Sequence, residues 1–197
     1  MKEKKRKMQI KFTISKFTIF IMKIFFLLFA SIAINISGIS QTSIEYFDKG
    51  VEKQIKLDYN GALNEYNKAI EIDQKFAKAY NNRGLVKFFL RDFYGSLNDF
   101  ASAIEINPNY AEAYYNKGLV KFNLRDFKGA IESFTKAIEI NPNYTEAYNN
   151  RGFAKFNIND NSGAISDYTK AIKINPKHFE AYNNRGLAKS IMKKYLE

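Results

Sequence analysis

The sequence predicts an all-α fold in which pairs of antiparallel helices are stacked one on another. The first observation is a repeat, because the segment AIEINPNYAEAYYNKG at residues 103–118 returns with small changes at Ala137 and Ala171, and with more changes at Ala69. Each copy starts 34 residues after the previous one. The second is an apolar stripe at helical spacing, formed in one copy by Ile131, Phe134 and Ile138. A single helical hairpin cannot bury such a stripe, whereas stacked copies can.

Each repeat is predicted to contain two helices. The first runs from the AYNNRG segment to the residue before Arg91 or its equivalents, and the second covers segments such as GAIESFTKAIEI. An aspartate precedes each second helix, where its carboxylate can accept hydrogen bonds from unpaired amides and face the positive helix end. These aspartates are Asp58, Asp92, Asp126 and Asp160. Asn-Pro pairs close the later repeats, since proline lacks an amide donor and disfavours helix in the residue before it. The prolines are Pro108, Pro142 and Pro176.

Alignment on this period divides most of the chain into repeats without a linker. The repeats span residues 43–76, 77–110, 111–144 and 145–178, and residues 179–197 form a partial fifth repeat or a capping helix. The first repeat has Gln74 in place of the proline. Its boundary with the second repeat is therefore the least sharply defined.

Charge and cysteine content exclude several classes of function. The net charge is +11, but residues 1–40 hold eight Lys or Arg against one Glu, and the other 157 residues hold 23 against 19 acidic residues. The repeats therefore lack the concentrated basicity expected of a nucleic-acid-binding protein. The absence of cysteine excludes disulfides, thiolate metal sites and a thiol nucleophile. We expect neither a cofactor nor a metal ion.

Residues 1–40 are predicted to be a signal peptide or an N-terminal membrane anchor. A basic head precedes a nearly unbroken apolar stretch at residues 17–39, and Gly38 and Ser40 have the small-x-small spacing of a cleavage site. Translation from Met22 would give a segment with the proportions of a complete secretory signal. About 20 apolar residues can also span a bilayer as an uncleaved anchor. Both alternatives place the repeats on the non-cytoplasmic side of the membrane, as periplasmic, secreted or anchored protein.

The period and residue pattern resemble the tetratricopeptide repeat family over residues 43–197. The small residues that let the helices of this family approach closely match a glycine in each first helix and two positions in each second helix. They match Gly50, Gly84, Gly118, Gly152 and Gly186, then Ala62, Ser96, Ala130 and Ala164, and then Ala69, Ala103, Ala137 and Ala171. The large residues that fill the space between helices match Tyr66, Phe100, Phe134 and Tyr168.

The chain departs from the family pattern on its first helices. Basic residues replace the usual leucine before each glycine and the usual aromatic residue three positions after it. The first set is Lys49, Arg83, Lys117, Arg151 and Arg185, and the second is Lys53, Lys87, Lys121, Lys155 and Lys189. Long basic side chains can cover apolar surface with their stems while their charges reach water, so the packing can survive.

The resemblance implies a superhelical solenoid whose first helices line a concave groove that holds a peptide or partner segment. The family's groove positions, transferred residue by residue, lie on one helical face and offer amide groups beside aromatic surface. The partner-binding residues implied in this way are Asn81, Phe88, Tyr115, Leu119, Phe122, Asn149, Phe153, Phe156 and Asn183. Members of the family that bind a partner's C-terminal carboxylate resemble one another in a lysine and an asparagine, where this chain has Phe47 and Val51. Neither side chain can donate a hydrogen bond, so we expect no such clamp.

The sequence thus predicts an exported, non-enzymatic scaffold that binds another polypeptide. The single histidine, His178, lies beside a repeat boundary without a recognisable nucleophile or orienting partner, so we expect no catalysis. The alternative is an architectural spacer or oligomerisation module of an envelope assembly, with no ligand in its groove. The oligomeric state stays open.

Processing of the leader can be tested directly. If the leader is cleaved, N-terminal sequencing of the mature protein should begin within a residue or two of Gln41, and the protein should not be membrane-integral. Recovery of a membrane-integral protein that retains residues 25–29 would indicate the anchor. An unprocessed cytoplasmic protein would reject both.

Overall fold

The computed structural model describes residues 42–194, and this part of the chain consists of helices joined by short turns. The helices are α1 at 42–55, α2 at Tyr59–Ile72, α3 at Ala77–Phe89, α4 at Phe93–Ile106, α5 at Ala111–Asn123, α6 at Phe127–Ile140, α7 at Thr145–Asn157, α8 at Asn161–Ile174 and α9 at Phe179–Lys194. Each odd-numbered helix from α3 to α7 packs against the even-numbered helix that follows it, and each even-numbered helix packs against the next odd-numbered one. The predicted all-α solenoid of helix pairs is confirmed.

The predicted leader at residues 1–40 and the proposed mature terminus at Gln41 lie outside the described residues, as do the last three residues of the partial fifth repeat. No helix in the described part is long and apolar enough to cross a bilayer.

The predicted aspartate caps are confirmed. Oδ1 of Asp126 accepts a hydrogen bond of 2.9 Å from the amide of Gly129, and the other aspartates cap α2, α4 and α8 in the same way. Glycine at this position allows a close approach, because a Cβ at Gly129 would lie 2.2 Å from Oδ2 of Asp126. The cap thus fixes the start of the helix.

The turn before each cap contains a residue with a left-handed backbone that the sequence did not indicate. The residues with positive φ are Leu57, Arg91, Arg125 and Asn159. At Arg91 the amide donates to the carbonyl of Phe88, and the next amide donates to the carbonyl of Lys87. These two bonds form the Schellman motif that ends a helix, here without the usual glycine. The first helix consequently ends at Phe89, with Leu90 as its C-cap.

The core of each repeat is an aromatic ring placed over a glycine of the partner helix. The rings of Tyr66, Phe100, Phe134 and Tyr168 are at most 1% exposed. A Cβ added to Gly118 would lie 2.6 Å from Cε1 of Phe134, so only glycine admits the ring at this separation. The small residues on the second helices, from Ala62 to Ala171, are fully buried. By contrast, a Cβ added to Gly186 of α9 would lie within 4 Å of no atom of another helix.

Enlarging one of these small residues tests the packing. Ala137 is fully buried in a cluster that includes Ala147, Tyr148 and Ala171. We expect Ala137→Phe to lower the free energy of unfolding by about 1–3 kcal/mol, because the added ring must displace neighbouring helices. Urea denaturation followed by circular dichroism measures this change, and Lys136→Phe at the exposed neighbouring position is the control. Equal stability of the two variants would contradict the assigned packing.

Candidate functional site

The odd-numbered helices form the inner face of the stack. Within the part of the chain described, α3 contacts α5, α5 contacts α7 and α7 contacts α9, whereas no two of the even-numbered helices contact each other. In a curved stack the helices on the inner side lie closest together. The surface of α3, α5, α7 and α9 that faces inward is called the concave face below.

Asparagine side chains connect neighbouring helices across the concave face. The Nδ2 group of Asn116 donates to Oδ1 of Asn81 at 3.0 Å, and that of Asn184 donates to Oδ1 of Asn149 at 3.3 Å. Asn81 and Asn149 are only 4% and 5% exposed. Their amides therefore hold the repeats together and leave little surface for a partner. Binding of a partner by Asn81 and Asn149 stays a prediction, and their burial disfavours it.

Tyr115 stands at the position that Asn81 and Asn149 occupy in the neighbouring repeats, and three residues contact its side chain. Its hydroxyl accepts a hydrogen bond of 2.9 Å from Nδ2 of Asn150, and its ring centroid lies 4.9 Å from that of Tyr144 and 5.7 Å from that of Phe134. Burial, and then the negative charge of Glu146, raise the pKa of Tyr115 to about 12. The tyrosine stays protonated at physiological pH.

Acidic side chains border the concave face near the start of the odd-numbered helices. Glu112, Glu146 and Glu180 are exposed and lie in the first turns of α5, α7 and α9. Besides burial, the charges of Glu146 and Glu180 contribute to the raised pKa of Tyr115. Carboxylates therefore lie close enough to the centre of the concave face to act on Tyr115.

Apolar side chains continue along the same helices. The ring of Phe122 on α5 stacks on that of Phe153 on α7, with centroids 5.2 Å apart and planes inclined by 25°. Phe153 is 39% exposed, whereas Phe122 is half-buried and also touches Phe127. The stacked pair thus presents apolar surface that crosses from one repeat to the next.

Of the other residues predicted to bind a partner, some pack against neighbouring side chains and one is exposed. Leu119 and Phe156 are half-buried and pack against the clusters around Phe134 and Tyr168, respectively. Phe88 is half-buried between Phe89 and Phe93. Asn183 is exposed on α9. The structure therefore brings Tyr115, Leu119, Phe122 and Phe153 to one stretch of the concave face.

A buried charge cluster in the second repeat was missed by sequence reasoning. Asp99 of α4 accepts two hydrogen bonds from Arg83, with Nη2 to Oδ1 at 2.7 Å and Nε to Oδ2 at 2.9 Å, and Lys87 Nζ lies 2.8 Å from Oδ2. The side chain of Asp99 is 5% exposed. The sequence predicted that these basic charges reach water. Instead a buried carboxylate binds both of them, and the side chains of Arg83 and Lys87 are only 17% and 23% exposed. Planar guanidinium matches a carboxylate in this bidentate geometry.

The fourth repeat contains the same charge cluster, formed by Arg151, Lys155 and Asp167, with closest distances of 2.6 and 2.8 Å. A signal for it was present in the sequence, since Asp99 and Asp167 stand at equivalent points of an otherwise apolar stripe and match the basic residues in period.

No group of three or more acidic or histidine side chains that could bind a metal ion occurs among the residues described.

Comparison with known families identifies the repeats. Models described as tetratricopeptide repeat match residues 77–110, 111–144, 145–178 and 167–197, and a model described as TPR repeat matches residues 58–88. None of the curated protein sequences gives a significant match to the chain.

Several solved structures share the fold. A crystal structure of MamA protein is 28% identical with a TM-score of 0.69, and the match covers 75% of this chain and 81% of that one. YrrB, described as a TPR protein with an unusual peptide-binding site, is 25% identical with a TM-score of 0.66 over 77% of this chain and 78% of its own. The first TPR of Spaghetti (RPAP3), bound to the HSP90 peptide SRMEEVD, is 25% identical with a TM-score of 0.59, covering 60% and 94%.

The buried charge cluster predicts a large effect from loss of one carboxylate. Asp99→Asn would leave Arg83 and Lys87 close together without their shared counter-ion, so we expect a loss of about 3–5 kcal/mol in the free energy of unfolding. Urea denaturation at neutral pH measures it. Glu105→Gln, on the exposed side of the same helix, should have little effect. If both variants were equally stable, the cluster would not stabilise the fold.

Proposed function

The chain belongs to the tetratricopeptide repeat family, and we propose that it is a scaffold that binds a segment of another polypeptide on its concave face. The observation that carries this proposal is the stacked pair of Phe122 and Phe153, which crosses two inner helices and keeps 39% of Phe153 exposed. Exposed aromatic surface beside polar groups is typical of the anchor points of protein interfaces.

The chemistry of the concave face favours a partner segment with basic and apolar side chains. Glu112, Glu146 and Glu180 border the face, and Phe153 and Leu187 expose 39% and 53% of their surface. A lysine or arginine of the segment would pair with this acidic border, while an apolar side chain would rest on the exposed ring. Such complementarity acts mainly on specificity and association rate.

Peptide binding by related structures supports the proposal. YrrB has a peptide-binding site, and the Spaghetti repeat domain is bound to an HSP90 peptide. In this chain Phe47, at one of the two positions discussed for a carboxylate clamp, packs its ring 5.7 Å from Tyr66 and 5.0 Å from Phe76. We therefore propose recognition of an internal segment through side chains, without a contact from Phe47 to a terminal carboxylate.

We also propose that the repeats function outside the cytoplasm. The support is the basic head and the apolar stretch of residues 1–40, which precede the first repeat directly. Cleavage would release the scaffold as a periplasmic or secreted protein, whereas an uncleaved leader would hold it at the membrane surface.

The site can be tested with the segment recovered by crosslinking the full-length protein in its native cells. Phe153→Ala should weaken binding of that segment about thirtyfold, corresponding to about 2 kcal/mol for loss of a central aromatic anchor. Lys128→Ala, at an exposed position on the even-numbered helix α6, is the matched control and should leave the affinity unchanged. Isothermal titration calorimetry gives the affinities, and thermal unfolding checks that both variants stay folded.

The electrostatic part of the site has its own test. Glu146→Gln combined with Glu180→Gln should lower the association rate and reduce its dependence on salt. A partner whose affinity is lost in Lys128→Ala but retained in Phe153→Ala would place the binding surface on the even-numbered helices. Crosslinking that yields only copies of this chain would indicate the architectural spacer.

A further inference from the structure

The third repeat contains the basic residues of the buried charge cluster without its acid. Four equivalent positions on the second helices hold Glu65, Asp99, Ser133 and Asp167. Lys117 and Lys121 of α5 occupy the positions that Arg83 and Lys87 occupy on α3. Within the described residues, no carboxylate lies within 4 Å of Lys117 Nζ, and Lys121 reaches only the half-exposed Asp126 at 3.6 Å.

Lys117 also lacks the second side-chain acceptor that Arg83 and Arg151 have. Arg83 Nη1 donates to Oδ1 of Asn67 in the preceding repeat at 2.7 Å, and Arg151 Nη1 donates to Oγ1 of Thr135 at 3.1 Å. The residue equivalent to Asn67 and Thr135 is Ala101 in the repeat before Lys117, and it has no acceptor in its side chain. Ser133 is also engaged elsewhere, since its hydroxyl donates to the carbonyl of Gly129 at 2.8 Å.

Lys117 therefore carries a positive charge in an unfavourable environment. Its pKa is lowered, first by burial and then by the nearby charge of Lys121. A negative group between the two lysines would offset both effects, because a nearby opposite charge favours the protonated lysine. The buried charge clusters of the second and fourth repeats show the arrangement that relieves such repulsion, since one carboxylate there binds two cations.

An open cleft leads to the two lysines. It lies between α5 and α6, has a volume of about 480 Å³, and is lined by Tyr114, Lys117, Lys121, Ser133 and Thr135, among others. Lys136 and Glu132 also line this cleft, and Lys136 is paired with Glu139 at 2.7 Å. The volume exceeds that of an aspartate side chain, and the cleft opens to solvent.

We propose that this cleft, called the lysine cleft below, is a binding site for a carboxylate of an acidic side chain from a partner polypeptide. The incoming carboxylate takes the place that Asp99 and Asp167 occupy in the neighbouring repeats and pairs with Lys117 and Lys121. An aspartate or glutamate is the occupant that the chain itself indicates, because two sibling repeats seat an aspartate between the same two positions. The site is separate from the concave face and does not depend on binding there.

The geometry is tested by supplying the acid from within the chain. Ser133→Asp should raise both the midpoint of thermal unfolding and the pKa of Lys117 relative to Ser133→Asn, which has nearly the same shape without the charge. The pKa is measured by following the Cε signal of Lys117 in NMR titrations of the full chain. If Ser133→Asp is no more stable than Ser133→Asn and Lys117 titrates alike in both, the space does not seat a carboxylate and the proposal fails.

The ligand chemistry is tested with N-acetyl-aspartate N-methylamide as the probe, at constant ionic strength. It should shift the Cε signals of Lys117 and Lys121 saturably in the wild-type protein, and its affinity should fall about tenfold or more in Lys117→Gln. Ser133→Asp should abolish binding because the site is then filled.

Inorganic phosphate, titrated in parallel, distinguishes the source of the anion. Saturable shifts with phosphate and none with the aspartate probe would overturn the assignment to a carboxylate. Shifts that never saturate, or that persist in Ser133→Asp, would show general screening and overturn the site. Because the probe needs no partner on the concave face, these outcomes are independent of the proposed scaffold function.

Discussion

The structure depends on the contact between an aromatic ring and a glycine that is repeated in each complete helix pair. The ring of Phe134 lies so close to Gly118 that a single added methyl group would stand 2.6 Å from it. This contact fixes the distance and register of the two helices, and the buried small residues let the next pair approach equally closely. Close packing of this kind is sensitive to the addition of even one methylene group. The sequence therefore repeats because each helix pair needs the same close contact between a glycine and an aromatic ring.

The stack of helix pairs is curved and therefore has an inner and an outer surface that differ. The odd-numbered helices contact each other on the inside, where asparagine amides bridge adjacent repeats and aromatic rings stack across them. Asparagine has both a donor and an acceptor in one side chain, so a series of asparagines can join repeats without an unpaired polar group. What is left exposed on this face, chiefly Phe153 and the acidic border, is what a partner can reach.

The buried charge clusters show that identical periodicity does not mean identical chemistry. Asp99 and Asp167 each bind an arginine and a lysine, so the basic side chains pack inside the repeat instead of projecting into water. Ser133 breaks the series, and the third repeat is left with Lys117 and Lys121 beside an open cleft. Isolated buried charge is costly, whereas paired charge is tolerated. Serine at position 133 and alanine at position 101 therefore leave the two lysines without the acceptors that the second and fourth repeats supply.

The sequence by itself determined the helix pairs, their caps and the residues that pack between them, because these depend on spacing within 34 residues and on the shapes of glycine, alanine and phenylalanine. It also directed attention to the inner face, where Tyr115, Phe122 and Phe153 indeed lie together. Only the tertiary structure decided which polar side chains were already engaged. The amides of Asn81 and Asn149 pair with residues 35 positions away, and Asp99 pairs with residues on another helix. Such pairing depends on distances between repeats, which periodicity along the chain does not contain.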